Sequence, residues 1–334
     1  MIAKVRRLNN CVILFVLTFC TLLKAESVSG DLIGDWTLDL SSNEPGWLSV
    51  SENEGQPVVC MLVHVGGIRP LNNVEFRNGR LYFLLKTDRD GRGGPVIQTH
   101  TVDVGIKQGK LDGVIIRQPT DGATKRVSFT GKKLPSMPPA PNIATVRFGE
   151  AISLFNGKDL TGWRLHNPNK IDGWSVRDGC MVNDTPKTDF SSTGVYGNLR
   201  TEAVFGDFKL HIEFLIEADR NSGVYLRGMY EAQVVDRDSR MQGLQGVGSV
   251  FGRIPPSDNF GRPGGEWQSY DLTLVDRHVT VVLNGVKVID NQPVPGPTGG
   301  AMHTDPTTPG PIYLQGDHTS VQYRNVVLAL VVKD

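Results

Sequence analysis

Residues 204–236 read VFGDFKLHIEFLIEADRNSGVYLRGMYEAQVVD, and apolar residues recur at every second position in their first half. Three of the four positions between them, Lys209, His211 and Glu213, are polar. A period of two residues predicts a β-strand with one face on a core and the other toward water or a ligand. The side chains predicted to face the core are those of Phe208, Leu210, Ile212, Phe214 and Ile216.

The second half of the stretch predicts two more strands after a polar turn at residues 217–223. Residues 224–227 and 230–235 alternate again, so their polar side chains are expected on a common face. If all three strands are neighbours in one sheet, they form a polar platform of the shape that binds a sugar. The expected members are His211, Glu213, Tyr225, Arg227, Glu231 and Gln233.

The first 25 residues have the features of a secretory signal peptide. Three basic residues precede an apolar run of 13 residues, 11–23, and a membrane-spanning helix needs about 20. We expect cleavage after Ala25, a secreted or periplasmic protein, and no transmembrane span after cleavage. Lipid attachment at Cys20 is disfavoured, because bulky Phe19 precedes this cysteine.

The chain carries no net charge, because 35 Lys and Arg residues balance 35 Asp and Glu residues. We therefore expect neither nucleic acid nor an anionic membrane surface as a partner. The composition includes 38 Gly and 20 Pro, and segments of helical period are nearly absent, which favours an all-β fold. Beyond the signal peptide only Cys60 and Cys180 remain, and we expect two free thiols rather than a disulfide.

Turn signals divide the chain into two predicted domains. Residues 31–134 contain short strands at a spacing of roughly ten residues, with an Asn78-Gly79 hairpin, and predict a small antiparallel β-barrel or meander. A proline-rich linker, residues 135–147, follows and is expected to be extended. Residues 148–334 predict a two-sheet sandwich, in which the long loop 237–265 is expected to be functional or mobile and residues 291–310 form a second irregular loop.

Five separated blocks of the second domain resemble, in this order, the bacterial 3-keto-disaccharide hydrolase domain family. This resemblance covers about residues 150–330 and implies a concanavalin A-like jelly-roll sandwich that acts on glycosides oxidised to a ketone at C3. The family pattern Leu-Gln-x-His-Gly appears here as Leu314-Gln315-Gly316-Asp317-His318-Thr319, so the orientation of His318 is open. The blocks are LFNGKDLTGW, NLRTEAVFGDFKLHIEF, NSGVYLRGMYEAQVVD, PGGEWQSYDLTLVDRHVTVVLNGVKVIDN and GPIYLQGDHTSVQYRNVVL.

The implied reaction needs a base or nucleophile, an acid for the leaving oxygen, and a donor for the developing oxyanion. We expect Glu231 to be the base or nucleophile and Arg227 to polarise the ketone. Either His318 or Asp236 is expected to be the acid, with Glu213 as an alternative carboxylate. The side chains expected to bind substrate are Gln233, Gln315, Tyr225, Glu213 and His211.

No cofactor is expected, and the acidic residues show no convincing metal-ligand spacing. A loop that binds Ca²⁺ or another divalent metal through carbonyl oxygens stays open. Purely structural roles also stay open. Glu213 and His211 would then belong to a strand face exposed to solvent, and Arg227 and Glu231 would form a cross-strand ion pair.

The leading hypothesis is an exported enzyme that cleaves 3-keto-glycosides or 3-keto-disaccharides, by hydrolysis or by elimination followed by hydration. A non-catalytic carbohydrate-binding protein of the cell envelope is the alternative, and a structural envelope module is a third. The expected partner is a carbohydrate, and the oligomeric state is open.

Overall fold

A computed structural model describes residues 27–332, except for 64–67, 69, 72, 90–95, 119–122 and 187–191. The predicted signal peptide, its cleavage site and Cys20 lie outside the described residues. Within the described part, no helix has both the length and the apolar character needed to cross a membrane. Cys60 and Cys180 are both free thiols, as predicted.

The N-terminal sheet is an antiparallel meander of eight strands in which β1 pairs with both β2 and β8. Pairing of the first strand with the last curls the sheet around its own apolar core, which confirms the predicted small barrel or meander. Asn78 and Gly79, at φ values of 51° and 72°, make the predicted hairpin turn between β4 and β5. The strands are β1 (Gly34–Leu40), β2 (Pro45–Asn53), β3 (Gln56–Val63), β4 (Glu75–Arg77), β5 (Arg80–Arg89), β6 (Val96–Lys107), β7 (Lys110–Arg117) and β8 (Lys125–Lys133).

The rest of the chain forms a sandwich of two antiparallel sheets, which confirms the predicted all-β, concanavalin A-like class. The smaller sheet has five strands: β10 (Trp163–Leu165), β13 (Leu199–Thr201), β20 (Tyr313–Leu314), β15 (Ser222–Leu226) and β16 (Tyr230–Val234), in that spatial order. The larger has eight: β11 (Trp174–Arg177), β12 (Cys180–Asn183), β21 (Val321–Leu330), β14 (Phe208–Leu215), β17 (Trp267–Val275), β18 (His278–Leu283) and β19 (Val286–Pro293), with β9 (Ile152–Ser153) pairing beside β21.

The core of the sandwich lies between the two sheets, where the period of two places the apolar side chains. Phe208, Leu210, Ile212 and Phe214 of β14 are fully buried, as their alternation predicts. They meet the inward-facing residues of the five-stranded sheet, among them Leu199, Val224, Ala232 and Leu314. The opposite face of the five-stranded sheet is therefore free to carry polar groups.

The predicted linker packs along the sandwich, with one short 3₁₀ turn at Ile143–Thr145; a second such turn is Gly243–Gln245. The Arg277 guanidinium donates to the Pro135 carbonyl (2.9 Å), and the Asn291 side chain donates to that of Pro141 (2.9 Å). These bonds hold the extended segment against β18 and β19, so that the N-terminal sheet lies next to the sandwich.

Candidate functional site

One row of side chains crosses the five-stranded sheet on the face turned away from the core. The strand register aligns one residue from each strand, and the residues that flank them in sequence point into the core. Because directly opposed residues on one sheet face lie next to one another, the row brings two tyrosines and a carboxyl into contact range. Its members, in spatial order, are Arg164, Arg200, Tyr313, Tyr225 and Glu231.

A second row runs beside the first and contains Asn198, Gln315, Gly223 and Gln233. The Gln315 N–H donates to the Gly223 carbonyl (2.9 Å), and Gly223 is paired with Gln233. Both glutamine side chains are buried, and their Oε1 atoms accept no hydrogen bond from any of the described residues. A buried carbonyl oxygen without a protein donor accepts from a donor outside the chain, such as water or a ligand hydroxyl.

Gly223 makes room for the Glu231 carboxyl. A Cβ atom added to Gly223 would lie 2.2 Å from Oε1 of Glu231, which is closer than atoms can approach. The Glu231 side chain therefore lies across the glycine, whose neighbours in the second row are Gln233 and Gln315. The register thus places Tyr225, Glu231 and Gln233 on a common face, as the sequence predicts.

Burial changes the protonation of Glu231. Only 3% of the residue is exposed, and this desolvation raises the pKa of its carboxyl to about 8, against a partial opposing effect of the Tyr225 hydroxyl. The negative charge of Asp317 adds to the increase. A carboxyl with this pKa is mostly protonated at pH 7, so it is equipped to donate a proton rather than to accept one.

The Tyr225 hydroxyl lies next to two groups that accept hydrogen bonds. It donates to the Gly299 carbonyl (2.9 Å), which can only accept, and it also interacts with the Glu231 carboxyl. The interaction with Tyr225 lowers the pKa of the Glu231 carboxyl, which offsets only part of the increase that burial causes.

A second carboxyl, Asp317, shows the opposite behaviour. Its Oδ1 lies 2.8 Å from Nδ1 of His318, and its Oδ2 accepts from the Ser192 hydroxyl (2.6 Å). Burial alone would raise the pKa of Asp317, but the hydrogen bond and charge of His318, together with Ser192, hold it below its ordinary value. Asp317 is therefore ionised at neutral pH.

Asn198 ties Asp317 to Tyr313. Its Oδ1 accepts the backbone N–H groups of Gly316 (2.7 Å) and Asp317 (2.9 Å), and its Nδ2 donates to the Tyr313 hydroxyl (2.6 Å). The Tyr313 ring lies 5.0 Å, edge to face, from that of Tyr225. Burial raises the pKa of Tyr313, so its hydroxyl keeps a proton that it can donate to a ligand.

A cavity of about 550 Å³ opens beside these groups. Tyr313, Asp317 and Asn198 line one side of it. Glu231 does not line the cavity. Tyr225 and Glu231 both contact a loop, residues 295–306, that we call the covering loop. Gly300 of this loop has a φ of 78° and lies so close to the Tyr225 hydroxyl that a Cβ there would be 2.6 Å away.

Arg227 does not belong to this face, contrary to the sequence prediction. Strand β15 ends at Leu226, and Arg227 has a left-handed φ of 55°, so the alternation stops before it. Its guanidinium donates to the carbonyls of Pro306 (2.6 Å) and Thr308 (2.7 Å). The cross-strand pair with Glu231, which the sequence left open as an alternative, is therefore not formed, and Arg227 holds the end of the covering loop.

Glu213 and His211 lie on the other sheet, so the predicted single platform is wrong. Strand β14 pairs with β17 and β21 in the eight-stranded sheet. Glu213 binds Arg324 (2.6 Å), and His211 binds Asp271 (2.8 Å). This is the solvated strand face that the sequence left open as an alternative.

The structure also separates Asp236 from Glu231. Asp236 follows β16, and its carboxylate accepts the backbone N–H groups of Asp219 (3.0 Å) and Asp238 (3.0 Å). Gln233, Gln315 and His318, by contrast, lie at the site. His318 contacts Asp317 rather than Glu231.

Sequence reasoning missed Asp317, Tyr313 and Asn198. Asp317 is the residue that disturbs the Leu-Gln-x-His-Gly pattern, and this irregularity was the available signal. Tyr313 lies in β20, a strand of two residues, and Asn198 directly precedes β13, a strand of three; strands this short do not show a period.

Metal-binding side-chain clusters are absent from the described ranges: no three or more His, Cys, Asp or Glu residues are arranged to hold a metal ion. A divalent ion bound through backbone carbonyls, which the sequence leaves open, requires no such cluster.

Comparison with known proteins identifies relatives of the sandwich. The 3-keto-disaccharide hydrolase of Bacteroides thetaiotaomicron is 25% identical over 166 residues, which cover 42% of this chain and 57% of that protein. This chain thus matches little more than half the length of that relative.

Solved structures show weaker similarity. A candidate glycosyl hydrolase from Parabacteroides distasonis is 24% identical with a TM-score of 0.45, covering 55% of this chain and 94% of that one. A lichenase from a mouse hindgut metagenome is 11% identical with a TM-score of 0.32, covering 55% of this chain and 99% of that one. Similarity at this level supports no functional argument.

The family model of the 3-keto-alpha-glucoside-1,2-lyase-like domain matches residues 150–329, more than half of the chain. The matched range contains both sheets of the sandwich, the covering loop and both carboxyls of the site. The chain belongs to the 3-keto-alpha-glucoside-1,2-lyase-like domain family.

Proposed function

We propose that this protein is a hydrolase-type enzyme that cleaves glycosides whose sugar carries a ketone at C3, with 3-keto-disaccharides as the substrate class. The observation that carries the proposal is a pair of carboxyls, Glu231 and Asp317, whose environments move their pKa values in opposite directions. Such a pair supplies an acid and a base at the same pH. The family description and the name of the Bacteroides relative support the choice of substrate.

The proposed reaction begins at C2, where the neighbouring ketone makes the hydrogen acidic. The Asp317 carboxylate removes this proton, and the electrons of the C2–H bond form a C1–C2 double bond as the C1–O bond breaks. Protonated Glu231 gives its proton to the leaving oxygen, which departs as an alcohol. Water then adds across the double bond, its oxygen to C1 and a proton to C2, so that the overall change is hydrolysis.

Neutral groups at the site have matching tasks. The Tyr313 hydroxyl accepts from Asn198, so its own proton is available for the C3 ketone oxygen and the enolate that forms there. The unpaired Oε1 atoms of Gln233 and Gln315 accept from sugar hydroxyls. Tyr313 takes the role that the sequence suggested for Arg227.

The covering loop must move aside for Glu231 to reach the leaving oxygen. Its residues Gly300, Ala301 and Met302 line the cavity, whereas Glu231 does not. Gly299 and Gly300 give this segment the backbone freedom that such a movement needs. Export by residues 1–25 is part of the proposal and would place the reaction outside the cytoplasm.

A second candidate, non-catalytic carbohydrate binding, is favoured by the covered position of Glu231. A protein of this kind would use the cavity wall and the two amide oxygens without any proton transfer. Calorimetry with unoxidised glycans, in which Glu231→Gln leaves the affinity unchanged, would support it.

The test is turnover in heavy water. Purified protein is incubated with 3-keto-trehalose or an aryl 3-keto-glucoside, and the product is analysed by mass spectrometry and NMR. We expect cleavage above the chemical background, with solvent deuterium at C2 of the product. Cleavage without deuterium would replace elimination by direct hydrolysis at C1, and no cleavage would reject the proposed function.

A further inference from the structure

The cavity has a second wall that comes from outside the family domain. Asn43, Glu44 and Pro45 of the turn between β1 and β2 line it together with the sandwich residues. The family match begins only at residue 150. The N-terminal sheet therefore shares a cavity with the candidate catalytic groups.

This turn is held in a fixed shape. Asn43 has a left-handed φ of 57°, and its N–H donates to the Leu40 carbonyl (2.9 Å). The Glu44 carboxylate accepts from the Arg117 guanidinium (2.5 Å) and from the Ser42 hydroxyl (2.6 Å). Because Glu44 is already engaged by partners of its own sheet, it positions the turn instead of binding a ligand.

Asn43 is the group left for a ligand. Asn43 is exposed and lines the cavity. Its side-chain amide makes no hydrogen bond within the part of the chain that the structure describes. An amide offers both a donor and an acceptor, which suits a sugar hydroxyl.

The N-terminal sheet also fixes the covering loop. The Thr304 hydroxyl donates to the Gly46 carbonyl (2.7 Å), and Lys132 pairs with Asp305 (2.9 Å). At the other end of the loop, Arg253 stacks on the Trp47 ring at 4.6 Å from its centre and donates to the Pro297 carbonyl (2.7 Å).

One end of the covering loop is thus bonded directly to the N-terminal sheet, and the other end is connected to it through Arg253. Its middle, which lies over Tyr225 and lines the cavity, is held by the sandwich instead: the Gly299 carbonyl accepts from the Tyr225 hydroxyl (2.9 Å), and the Met302 N–H donates to the Gly228 carbonyl (2.8 Å). The N-terminal sheet therefore forms one wall of the cavity and also supports the covering loop.

We infer that the β1–β2 turn is a binding wall for the leaving group of the substrate, with Asn43 in contact with the second sugar of a disaccharide. The cavity volume of about 550 Å³ falls within the range of about 300–1,000 Å³ for pockets that hold drug-sized ligands, which is more than one sugar ring occupies. With the reacting ring at Tyr313 and Asp317, the remaining space extends toward the turn. This inference rests on the proposed function.

The test compares Asn43→Gly with Asn78→Gly. Both asparagines are exposed, both have left-handed φ values (57° and 51°), and both lie in turns of the N-terminal sheet, so glycine is tolerated at each. Only Asn43 lines the cavity. For each variant, kcat/KM is measured with a 3-keto-disaccharide and with methyl 3-keto-glucoside, whose leaving group is too small to reach the turn.

We expect Asn43→Gly to lower kcat/KM for the disaccharide about fivefold more than for the methyl glycoside, which corresponds to the loss of one hydrogen bond of about 1 kcal/mol. Asn78→Gly should leave the ratio of the two values unchanged. Equal effects of Asn43→Gly on both substrates, or no effect, would overturn the inference.

If wild-type protein cleaves neither substrate, the proposed function fails and the wall is tested by binding. Calorimetry with an unoxidised disaccharide and its monosaccharide should then show that Asn43→Gly weakens only the disaccharide. Equal weakening of both ligands, or the absence of binding to wild-type protein, would overturn the inference separately.

Discussion

Glu213 and Glu231 occupy equivalent places in the sequence pattern and opposite environments in the structure. Each is a polar residue in the middle of an alternating strand. Glu213 lies on the outer face of the eight-stranded sheet, where Arg324 and Asn325 bind it (2.6 and 2.7 Å) and lower its pKa against the effect of burial. Glu231 is enclosed on the five-stranded sheet, and its pKa is raised to about 8.

The difference shows what decides the chemistry of a strand carboxyl. The alternation of polar and apolar residues determines which face of a strand a carboxyl lies on. The sheet that the strand joins depends instead on partner strands distant in the chain: β14 pairs with β21, and β15 with β20. What covers the face depends on loops distant in the chain. Ion pairing on an open face produces an ordinary carboxylate, whereas enclosure by the covering loop produces a protonated acid.

The largest difference is expected in catalysis. Glu231→Gln should reduce kcat for a 3-keto-disaccharide about 10²–10⁴-fold, because the leaving oxygen loses its proton donor. Asp317→Asn should produce a comparable loss, since the C2 proton then has no base. Glu213→Gln should retain wild-type turnover. Steady-state kinetics, with circular dichroism to check folding, makes the measurement.

Near-wild-type turnover of Glu231→Gln would remove this residue from the mechanism. A loss in Glu213→Gln as large as that in Glu231→Gln would mean that the two faces do not differ in function.

A smaller loss of turnover is expected when Glu231 is retained but its carboxyl is moved. Gly223→Ala places a Cβ where Oε1 of Glu231 now lies, at a distance of 2.2 Å, so the carboxyl must shift. We expect turnover to fall about 10–10²-fold, as for an acid misplaced by about 1 Å. Gly206→Ala is the matched control, because no atom lies within 4 Å of its added Cβ; its turnover should be unchanged. Equal turnover of the two variants would show that the position of the carboxyl is unimportant.

The two glutamates should also affect stability in opposite directions as pH changes. The pKa of Glu231 is raised in the folded protein. Its contribution to the free energy of unfolding is therefore fully present below the unfolded pKa of 4.5 and is lost as pH rises toward about 8. The free energy of unfolding of Glu231→Gln, relative to that of wild type, should therefore increase by a few kcal/mol between pH 4.5 and 8.

Glu213 has a lowered folded pKa. Its contribution to the free energy of unfolding is present above pH 4.5 and is lost as pH falls through the pKa of the folded state. Glu213→Gln should therefore approach wild-type stability in acid. The effect should stay below about 1 kcal/mol, because the ion pair is partly exposed. Urea denaturation of both variants at several pH values measures these differences. Parallel curves for the two variants would contradict the assignment.

Local patterns were sufficient to predict the all-β sandwich, its core strand and the Asn78-Gly79 hairpin, because these follow from a period of two and from turn geometry. They also placed Tyr225, Glu231 and Gln233 on one face. They could not exclude Arg227 from it, since a single left-handed residue after Leu226 ends the alternation. Nor could they find Asp317 or the Asn43 wall, which reach the site only through long-range packing.

The protonation state of Glu231 is the point on which the proposed acid role depends. Carbon-13 NMR of protein labelled at the glutamate carboxyls measures it directly between pH 3 and pH 10, with Glu231→Gln and Glu213→Gln to assign the two resonances. We predict that the Glu231 resonance titrates near pH 8 and that the Glu213 resonance titrates below 4.5. Titration of Glu231 at or below 4.5 would show an ionised carboxylate at neutral pH and would contradict its role as the acid.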